Sequence, residues 1–525
     1  MVVPELRPWQ AARPHVARLA NAVRPRLAAA RPPLARAANA MKPQVKRLTT
    51  VKTWQYTAGA ATAGLALTAV VVTAAGPWDS TGQRTAERDR AVALEHTGGA
   101  DHGGDSGTTG ATPEPAPSAS SVLAGLGGAT NTVKPAPSAE ALAAVLAPLL
   151  KDQALGSRRT AAVVDVATGK RLYGAGADDA LTPASTTKIA TAVAALSAMG
   201  PDHRLTTRTA MEPGTGELVL VGGGDPTLTA RKDAEGWASL RDLATKTAKA
   251  LKKDGVSKVT LSYDTTLYAG SGLHPIGVDA NLALVSALMA DEARTNDSTS
   301  GTADRAPDPA ADAARKFAGF LADDGIRTTS PGPSKATGRA QTLAEVSSPP
   351  LSALVERMLT NSDNDIAEAL ARQTAVATKV RADFDGGGKA IRDRLKRLGL
   401  PVSGVSFKDG SGLNRDDRLT AGLLTALLAK AGDPEHPELR SVLTGLPVAG
   451  FTGTLTTRYT PDGAAGVVRA KTGTLTGVNT LAGTVVDQDG RLLAFAFLAS
   501  DTTSKDAAQA ALDKAATALA ACGCG

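Results

Sequence analysis

Three short polar patterns in the chain combine a nucleophile, two lysines and groups suited to hold an anion. They are Ser185-Thr-Thr-Lys188, Ser362-Asp-Asn364 and Lys471-Thr-Gly-Thr474. A serine hydroxyl becomes a nucleophile when a base accepts its proton, and a lysine removed from water can be that base. Alone, each pattern is also typical of an exposed helix start, a capped loop or a strand-edge lysine. Each occurs once, in this order, and the combination favours one site with an activated serine nucleophile over three unrelated local roles.

The first pattern is predicted to begin a helix. Thr182 suits the N-cap and Pro183 the first helical position, and the apolar residues that follow recur at helical spacing. Ser185 and Lys188 then lie three residues apart on one face of the first turn, where backbone N–H groups can stabilise an oxyanion. The expected apolar face consists of Ile189, Val193 and Leu196.

The other two patterns are predicted on a loop and a strand. Ser362-Asp-Asn364 lies between a helix ending near Leu359 and another beginning near Ile366. Strand alternation puts Lys471 and Gly473 on one face and Thr472 and Thr474 on the other. A glycine at position 473 leaves room for substrate or for a neighbouring backbone.

The elements around these patterns predict an α+β fold. A helix is expected from about residue 138, strands over 161–166 and from 171 onward, three more strands over 466–474, 479–486 and 492–499, and a closing helix over 506–520. Strands at both ends with helices between them indicate an antiparallel sheet built from both ends of the catalytic domain and covered by helices. The mixed pattern of residues 205–345 predicts an inserted smaller α/β subdomain.

The N-terminal region predicts a membrane anchor. Residues 1–53 hold eleven Lys or Arg against one acid, and residues 56–76 carry no charge. As a helix those 21 residues would span about 31 Å, enough for a bilayer core of about 30 Å. We expect a basic cytoplasmic leader over 1–53, a transmembrane signal anchor over 54–76 and a catalytic domain outside the cell. A cleaved signal peptide and a buried helix are the alternatives.

The linker composition, the charge distribution and the aromatic content limit the kinds of partner that the protein can bind. Residues 77–137 are rich in Gly, Ser, Thr, Ala and Pro and are predicted to be a disordered linker. The net charge of +7 comes from the leader, and aromatics make up only 3%, which argues against a nucleic-acid partner for the body. The two cysteines, Cys522 and Cys524, fit a dispensable tail, a local bridge or a metal-binding pair.

At the three patterns the chain resembles the active-site serine, penicillin-interacting family, and specifically the class C low-molecular-mass D-Ala-D-Ala carboxypeptidases/endopeptidases. The resemblance covers about residues 138–525. Four further segments carry it: Leu220-Val-Gly-Gly-Gly-Asp-Pro-Thr-Leu228, Val285-Ser-Ala-Leu-Met-Ala-Asp-Glu292, Asp409-Gly-Ser-Gly-Leu-Asn-Arg415 and Gly450-Phe-Thr-Gly-Thr-Leu455.

This resemblance implies acyl transfer on the D-Ala-D-Ala ends of peptidoglycan stem peptides, or hydrolysis of D-alanyl cross-links, without a cofactor or a metal. Ser185 would attack the carbonyl and Lys188 would accept its proton. Ser362, near Lys471, would relay a proton to the leaving amine. Water would then release the acyl-enzyme, and β-lactam antibiotics would trap Ser185 as covalent inhibitors.

The resemblance also implies the substrate contacts. Asn364 would hold the substrate amide, and the segment of Thr472, Gly473 and Thr474 would bind the terminal carboxylate beside Lys471. The backbone N–H groups of Ser185 and Thr474 would form the oxyanion hole. Arg415 would contact the substrate side chain.

Three other functions are weighed against this one. A class A β-lactamase carries Glu-x-x-Leu-Asn after the Ser-Asp-Asn loop, whereas Glu356, with Leu359 three residues on, precedes that loop here. A metallohydrolase is disfavoured because His203, His274 and His436 show no ligand spacing. A membrane-tethered β-lactam sensor or wall-binding module would keep all three patterns, and D-alanine release separates it from an enzyme.

Overall fold

The computed structural model describes residues 137–459 and 463–523. The predicted leader, signal anchor and nearly all of the linker lie outside the described residues and stay predictions. Within the described part of the chain, no helix has the length and apolar character needed to cross a bilayer.

The described chain contains ten α-helices. In chain order they are α1 (Ala139–Leu149), α2 (Thr187–Met199), α3 (Leu240–Lys253), α4 (Pro309–Asp323), α5 (Leu351–Asn361), α6 (Asn364–Ala377), α7 (Phe384–Arg397), α8 (Ala421–Gly432), α9 (Ser441–Thr444) and α10 (Lys505–Ala520). Many begin where a short polar side chain accepts a backbone N–H of the first turn, as Ser138, Asp363 and Ser504 do.

The strands form two main sheets. In chain order they are β1 (Arg158–Asp165), β2 (Arg171–Ala175), β3 (Ala180–Leu181), β4 (Thr206–Met211), β5 (Glu217–Val221), β6 (Lys258–Asp264), β7 (Arg327–Thr328), β8 (Gly332–Pro333), β9 (Gln341–Ser347), β10 (Leu419–Thr420), β11 (Arg469–Leu475), β12 (Val478–Val486) and β13 (Leu492–Ser500). The short strands β3 and β10 pair with each other.

The first sheet joins the two ends of the domain, as predicted. Its order is β11-β12-β13-β1-β2, and every neighbouring pair is antiparallel. The central strand β13 is buried on both faces, because Ala494, Ala496 and Leu498 enter the core with α2, α5, α6 and α8. Phe495 and Phe497 enter a second core with α1 and α10. The sheet therefore lies between two helical layers, which confirms the predicted α+β class.

The second sheet is assembled from residues 206–347. Its order is β7-β6-β5-β4-β9, with β8 also paired to β6. It is mixed, since β5 and β6 run parallel whereas β4 runs antiparallel to both of its neighbours. Its core includes Phe317 and Leu321 of α4 and Leu243 of α3. In the chain, this second sheet and its helices are inserted between the Ser185–Lys188 and Ser362–Asn364 patterns.

Candidate active site

The turn that carries Ser185 differs from the predicted helix start. A 3₁₀ helix, Ala184–Thr186, precedes α2, and no side chain caps it. The predicted N-cap at Thr182 is wrong, because its hydroxyl donates to the Arg415 carbonyl oxygen at 3.2 Å instead. Ala184 adopts a φ of 48°, a strained value for a residue with a Cβ. The nucleophile therefore follows a backbone distortion that the surrounding packing maintains.

Lys188 is fully buried in the first turn of α2, which is itself buried on nearly all sides rather than along a single apolar face. Its Nζ lies 3.0 Å from Ser185 Oγ, 2.7 Å from Asn364 Oδ1 and 2.8 Å from the Ser411 carbonyl oxygen. These contacts direct the amine at the hydroxyl, as base-assisted nucleophilic attack requires.

The Ser362-Asp-Asn364 pattern forms the junction of two helices. Helix α5 continues to Asn361, and Ser362 follows in the left-handed conformation with φ 60°. Asp363 then caps α6 by accepting the Ile366 N–H at 3.0 Å. Asn364 is the first residue of α6, and its Nδ2 donates to the Asn281 carbonyl oxygen at 2.9 Å. One loop therefore caps α6 through Asp363 and also places Ser362 and Asn364 beside the two lysines.

Lys471 lies fully buried on β11, opposite Ala482 of β12. Its Nζ is 2.9 Å from Ser362 Oγ and 2.8 Å from the Thr472 carbonyl oxygen. Gly473 provides room for backbone rather than for substrate, because a Cβ there would lie 2.7 Å from the Pro183 carbonyl oxygen. The absence of a side chain at position 473 lets β11 approach the turn that carries the nucleophile.

The three patterns meet at one cavity of about 480 Å³. Ser185, Ser362, Asn364, Thr472 and Thr474 all line it. The Thr472 hydroxyl donates to Thr454 Oγ1 at 2.9 Å. The sequence therefore identified the residues of one continuous pocket, although they come from a helix start, an interhelical loop and a sheet strand.

Burial controls the proton affinity of both lysines. Removal from water lowers the pKa of Lys188 to about 8, and Asp409, Glu368, Asp363 and Asp417 oppose that shift. Burial also holds the pKa of Lys471 well below its usual value, and the neighbouring Lys188 charge lowers it further. A lysine with a pKa near 8 can exist as a neutral amine close to physiological pH and accept a proton.

Arg415 is placed apart from the other predicted residues. It is exposed, its guanidinium donates to the Thr476 carbonyl oxygen at 3.0 Å, and it does not line the cavity. In this position it supports the turn between β11 and β12. Its contact with a substrate side chain stays a prediction.

Several groups at the site have no signal in the three patterns. Asn281 and Ser411 contribute backbone carbonyl oxygens, which a motif of side chains does not reveal. Gln509 of α10 donates to Thr474 Oγ1 at 3.3 Å and lines the cavity. The segments 409–415 and 450–455 carry part of the family resemblance, but the sequence does not indicate that Ser411 and Thr454 contact the three patterns.

Among the residues that the structure describes, two buried groups have donor atoms close enough to hold a cation: His274 with Glu368 and Asp409, and Glu292 with Asp363 and Asp365. Protein donors occupy both. Backbone N–H groups and His274 bind the carboxylates of the first group. Arginines bind the second group, with Arg294 Nε 2.8 Å from Glu292 Oε2 and Arg305 Nη1 3.0 Å from Asp365 Oδ2.

A family comparison matches most of the described chain. The model of the D-Ala-D-Ala carboxypeptidase 3 (S13) family matches residues 142–278 and 278–521. A carboxypeptidase of Mycobacterium tuberculosis is 36% identical over 428 residues, which cover 78% of this chain and 90% of that protein. Carboxypeptidase DacB of Mycolicibacterium smegmatis is 37% identical over 408 residues, covering 74% of this chain and 86% of the relative.

A solved structure shares the fold. The crystal structure of penicillin binding protein 4 from Haemophilus influenzae superposes with a TM-score of 0.59 at 22% identity, covering 73% of this chain and 98% of that one. At 22% identity this similarity concerns the fold alone. The two mycobacterial relatives are similar to the chain in sequence over most of its length.

Proposed function

The chain belongs to the D-Ala-D-Ala carboxypeptidase 3 (S13) family, and on that premise we propose how its residues carry out the reaction. It is a serine-type DD-peptidase of the bacterial cell wall. The observation that carries the residue assignment is the 3.0 Å contact between Lys188 Nζ and Ser185 Oγ at the wall of the cavity. The substrates are peptidoglycan stem peptides that end in D-Ala-D-Ala.

In acylation, Ser185 Oγ attacks the carbonyl carbon of the penultimate D-Ala while neutral Lys188 accepts the hydroxyl proton. Ser362 then relays the proton from the Lys188 ammonium to the leaving amine, and Lys471 Nζ lies 2.9 Å from Ser362 Oγ. The amide of Asn364 orients the substrate backbone, and Thr472 and Thr474 bind the terminal carboxylate. Backbone N–H groups of Ser185 and Thr474 stabilise the oxyanion, a contribution of roughly 3–4 kcal/mol per donor in related chemistry.

In deacylation, neutral Lys188 accepts a proton from the attacking water and returns it to the Ser185 oxygen as the ester C–O bond breaks. A β-lactam enters the same path, but its opened ring stays attached to the acyl group and the ester persists. Support comes from the cavity, which holds the nucleophile and the carboxylate-binding threonines together. A cross-linked peptide would follow the same steps with a larger leaving amine.

The decisive experiment measures D-alanine release from a synthetic peptide ending in D-Ala-D-Ala, together with the intact mass after benzylpenicillin. We expect release by the native protein and one adduct, which peptide mapping assigns to Ser185. Ser185→Ala should lose both, with activity falling about 10⁶-fold as for other nucleophile deletions. Ser157→Ala, a serine outside the cavity, is the control. An adduct without D-alanine release would identify a β-lactam sensor instead.

We also propose that residues 54–76 anchor the protein in the cytoplasmic membrane with the catalytic domain outside. The basic segment 1–53 and the uncharged stretch after it support this orientation. Protease treatment of intact spheroplasts tests it, since an external domain is digested and a cytoplasmic one is protected. Recovery of the mature protein in the medium, beginning after residue 76, would instead indicate a cleaved signal peptide.

A further inference from the structure

We propose that Glu368 and the Asp409–His274 pair are positioning residues for Lys188: they fix the turn 409–414, whose Ser411 carbonyl oxygen aims the lysine amine at Ser185. This inference rests on the proposed role of Lys188 as the base. Glu368, Asp409 and His274 do not line the cavity that contains Ser185, so their effect on the reaction passes through the turn and through charge.

Glu368 binds the backbone of the turn directly. Its carboxylate oxygens both lie 3.1 Å from the Gly410 N–H nitrogen, and Oε1 also accepts the Ser411 N–H at 2.9 Å. Glu368 stands one helical turn after Asn364 on α6. Helix α6 therefore acts on Lys188 in two ways. Its Asn364 Oδ1 contacts the lysine directly, and its Glu368 holds Ser411, whose carbonyl oxygen also contacts the lysine.

Asp409 and His274 close the other side of the turn. Asp409 accepts the Gly412 and Asn414 N–H groups, each at 2.6 Å, and its Oδ2 is 2.9 Å from His274 Nε2. The Ile276 N–H donates to His274 Nδ1 at 3.2 Å, so the imidazole proton lies on Nε2 and points at Asp409. Both ring nitrogens are thus used, and His274 forms no triad with a serine.

The turn also touches the nucleophile segment. A Cβ at Gly412 would lie 1.9 Å from the Ala184 carbonyl oxygen, and Gly412 has a φ of 83°. A displacement of this turn would therefore move the residue before Ser185 as well as the partner of Lys188. His274 lies in the segment that follows β6, so a segment inserted between the first two patterns helps to hold this turn.

The charged groups that face Lys188 shift its pKa in a predictable direction. Asp409, Glu368, Asp363 and Asp417 raise the pKa of Lys188 against burial, and the neighbouring Lys471 is a buried amine whose own pKa is held well below its usual value. Burial and Asp409 raise the pKa of Glu368 to about 7, and His274 opposes this shift. Asp417 bonds to Asp409, and burial with that neighbour holds the pKa of Asp417 well above its usual value. Removing a carboxylate charge favours neutral Lys188, so the acidic limb of the activity profile should move to lower pH.

Glu368→Gln and Asp409→Asn test the charge, and His274→Phe tests the hydrogen bond. We expect the two amide variants to shift the acidic limb of kcat/KM downward by about 0.5–1 pH unit. His274→Phe should lower kcat about 10- to 100-fold with KM within about twofold, because a misplaced base slows chemistry rather than binding. His274→Gln, which keeps an N–H donor, should recover part of the loss. His203→Gln and Glu435→Gln, at an exposed histidine and an exposed glutamate, are the controls.

The thermal midpoint of each variant separates this proposal from simple destabilisation. A loss of stability with an unmoved acidic limb and an unchanged kcat per folded molecule would overturn it. If Glu368→Gln fails to fold, the Asp409→Asn profile decides the same question. Native protein that neither releases D-alanine nor acylates Ser185 would instead refute the proposed function. Native activity with unshifted variants would refute only the positioning role.

Discussion

Two lysines lie fully buried at the same cavity, yet their surroundings differ sharply. Lys188 has three oxygen partners and four carboxylates that oppose the effect of burial on its pKa. Lys471 has Ser362 and the Thr472 carbonyl oxygen, and no carboxylate opposes its lowered pKa. The first environment suits a base that gains and loses a proton near neutrality. The second suits a group whose missing counter-charge arrives with the substrate.

Replacing each lysine by methionine tests whether the two environments have different roles. Lys188→Met removes the proposed base and should slow acylation by benzylpenicillin about 10³- to 10⁴-fold, the upper range for general base catalysis. Lys471→Met keeps that base and should slow it about 10²-fold. Both changes replace a buried lysine with an apolar side chain of similar length. Intact-mass analysis of samples quenched at successive times after benzylpenicillin is added gives the second-order rate constant of acylation. Equal losses in the two variants would contradict the division of roles.

The two lysine environments meet where Gly473 abuts the nucleophile turn. Gly473→Ala would bring a Cβ to within 2.1 Å of Thr480 Oγ1 and 2.7 Å of the Pro183 carbonyl oxygen. We expect a loss of about 1–3 kcal/mol of unfolding free energy, typical of overpacking, and slower acylation. Gly319→Ala on α4, where a Cβ meets nothing within 4 Å, is the matched control and should be neutral or stabilising. Chemical denaturation measures both, and an unaffected Gly473→Ala would show that β11 can retreat without cost.

The sequence predicted the first sheet well, because its signals are local and strong. Strands over 479–486 and 492–499 were expected, and β12 and β13 match them within a residue at each end. The closing helix was placed at 506–520 and α10 begins one residue earlier. Long apolar runs between turn residues specify such elements without tertiary information.

The start of α2 and the partners of Lys188 could not be predicted in the same way. Thr182 and Pro183 form a good local capping signal, but tertiary contacts to Arg415 and the left-handed Ala184 override it. The carbonyl oxygen of Ser411 comes from a turn far along the chain, and its use depends on folding rather than on residue type. Three side-chain patterns therefore located the cavity, whereas the groups that tune it needed the structure.

The pH dependence sharpens the assignment of Lys188. Because its pKa is lowered to about 8 and the neutral amine is the active form, the neutral fraction falls about tenfold for each pH unit below that value. We expect kcat/KM for D-alanine release to rise with the same slope and to level off above about pH 8. Initial rates measured from about pH 5.5 to about pH 9.5 at constant ionic strength give this profile, because that range brackets the titration of Lys188. A flat profile would mean that Lys188 is not the titrating base.

The smallest predicted effect concerns Lys471 and a bound anion. Since burial and the Lys188 charge disfavour protonated Lys471, a substrate carboxylate beside it should raise its pKa and draw in up to about one proton. Calorimetric titration of the Ser185→Ala protein with a D-Ala-D-Ala peptide, repeated in buffers of different ionisation enthalpy, counts the protons taken up. The same peptide amidated at its C-terminus is the control and should take up fewer. Lys471→Met in the same background should abolish the difference between the two peptides. If uptake persisted in that variant, the counter-charge for the substrate would lie elsewhere, and the contrast between the two lysines would reduce to their distance from Ser185.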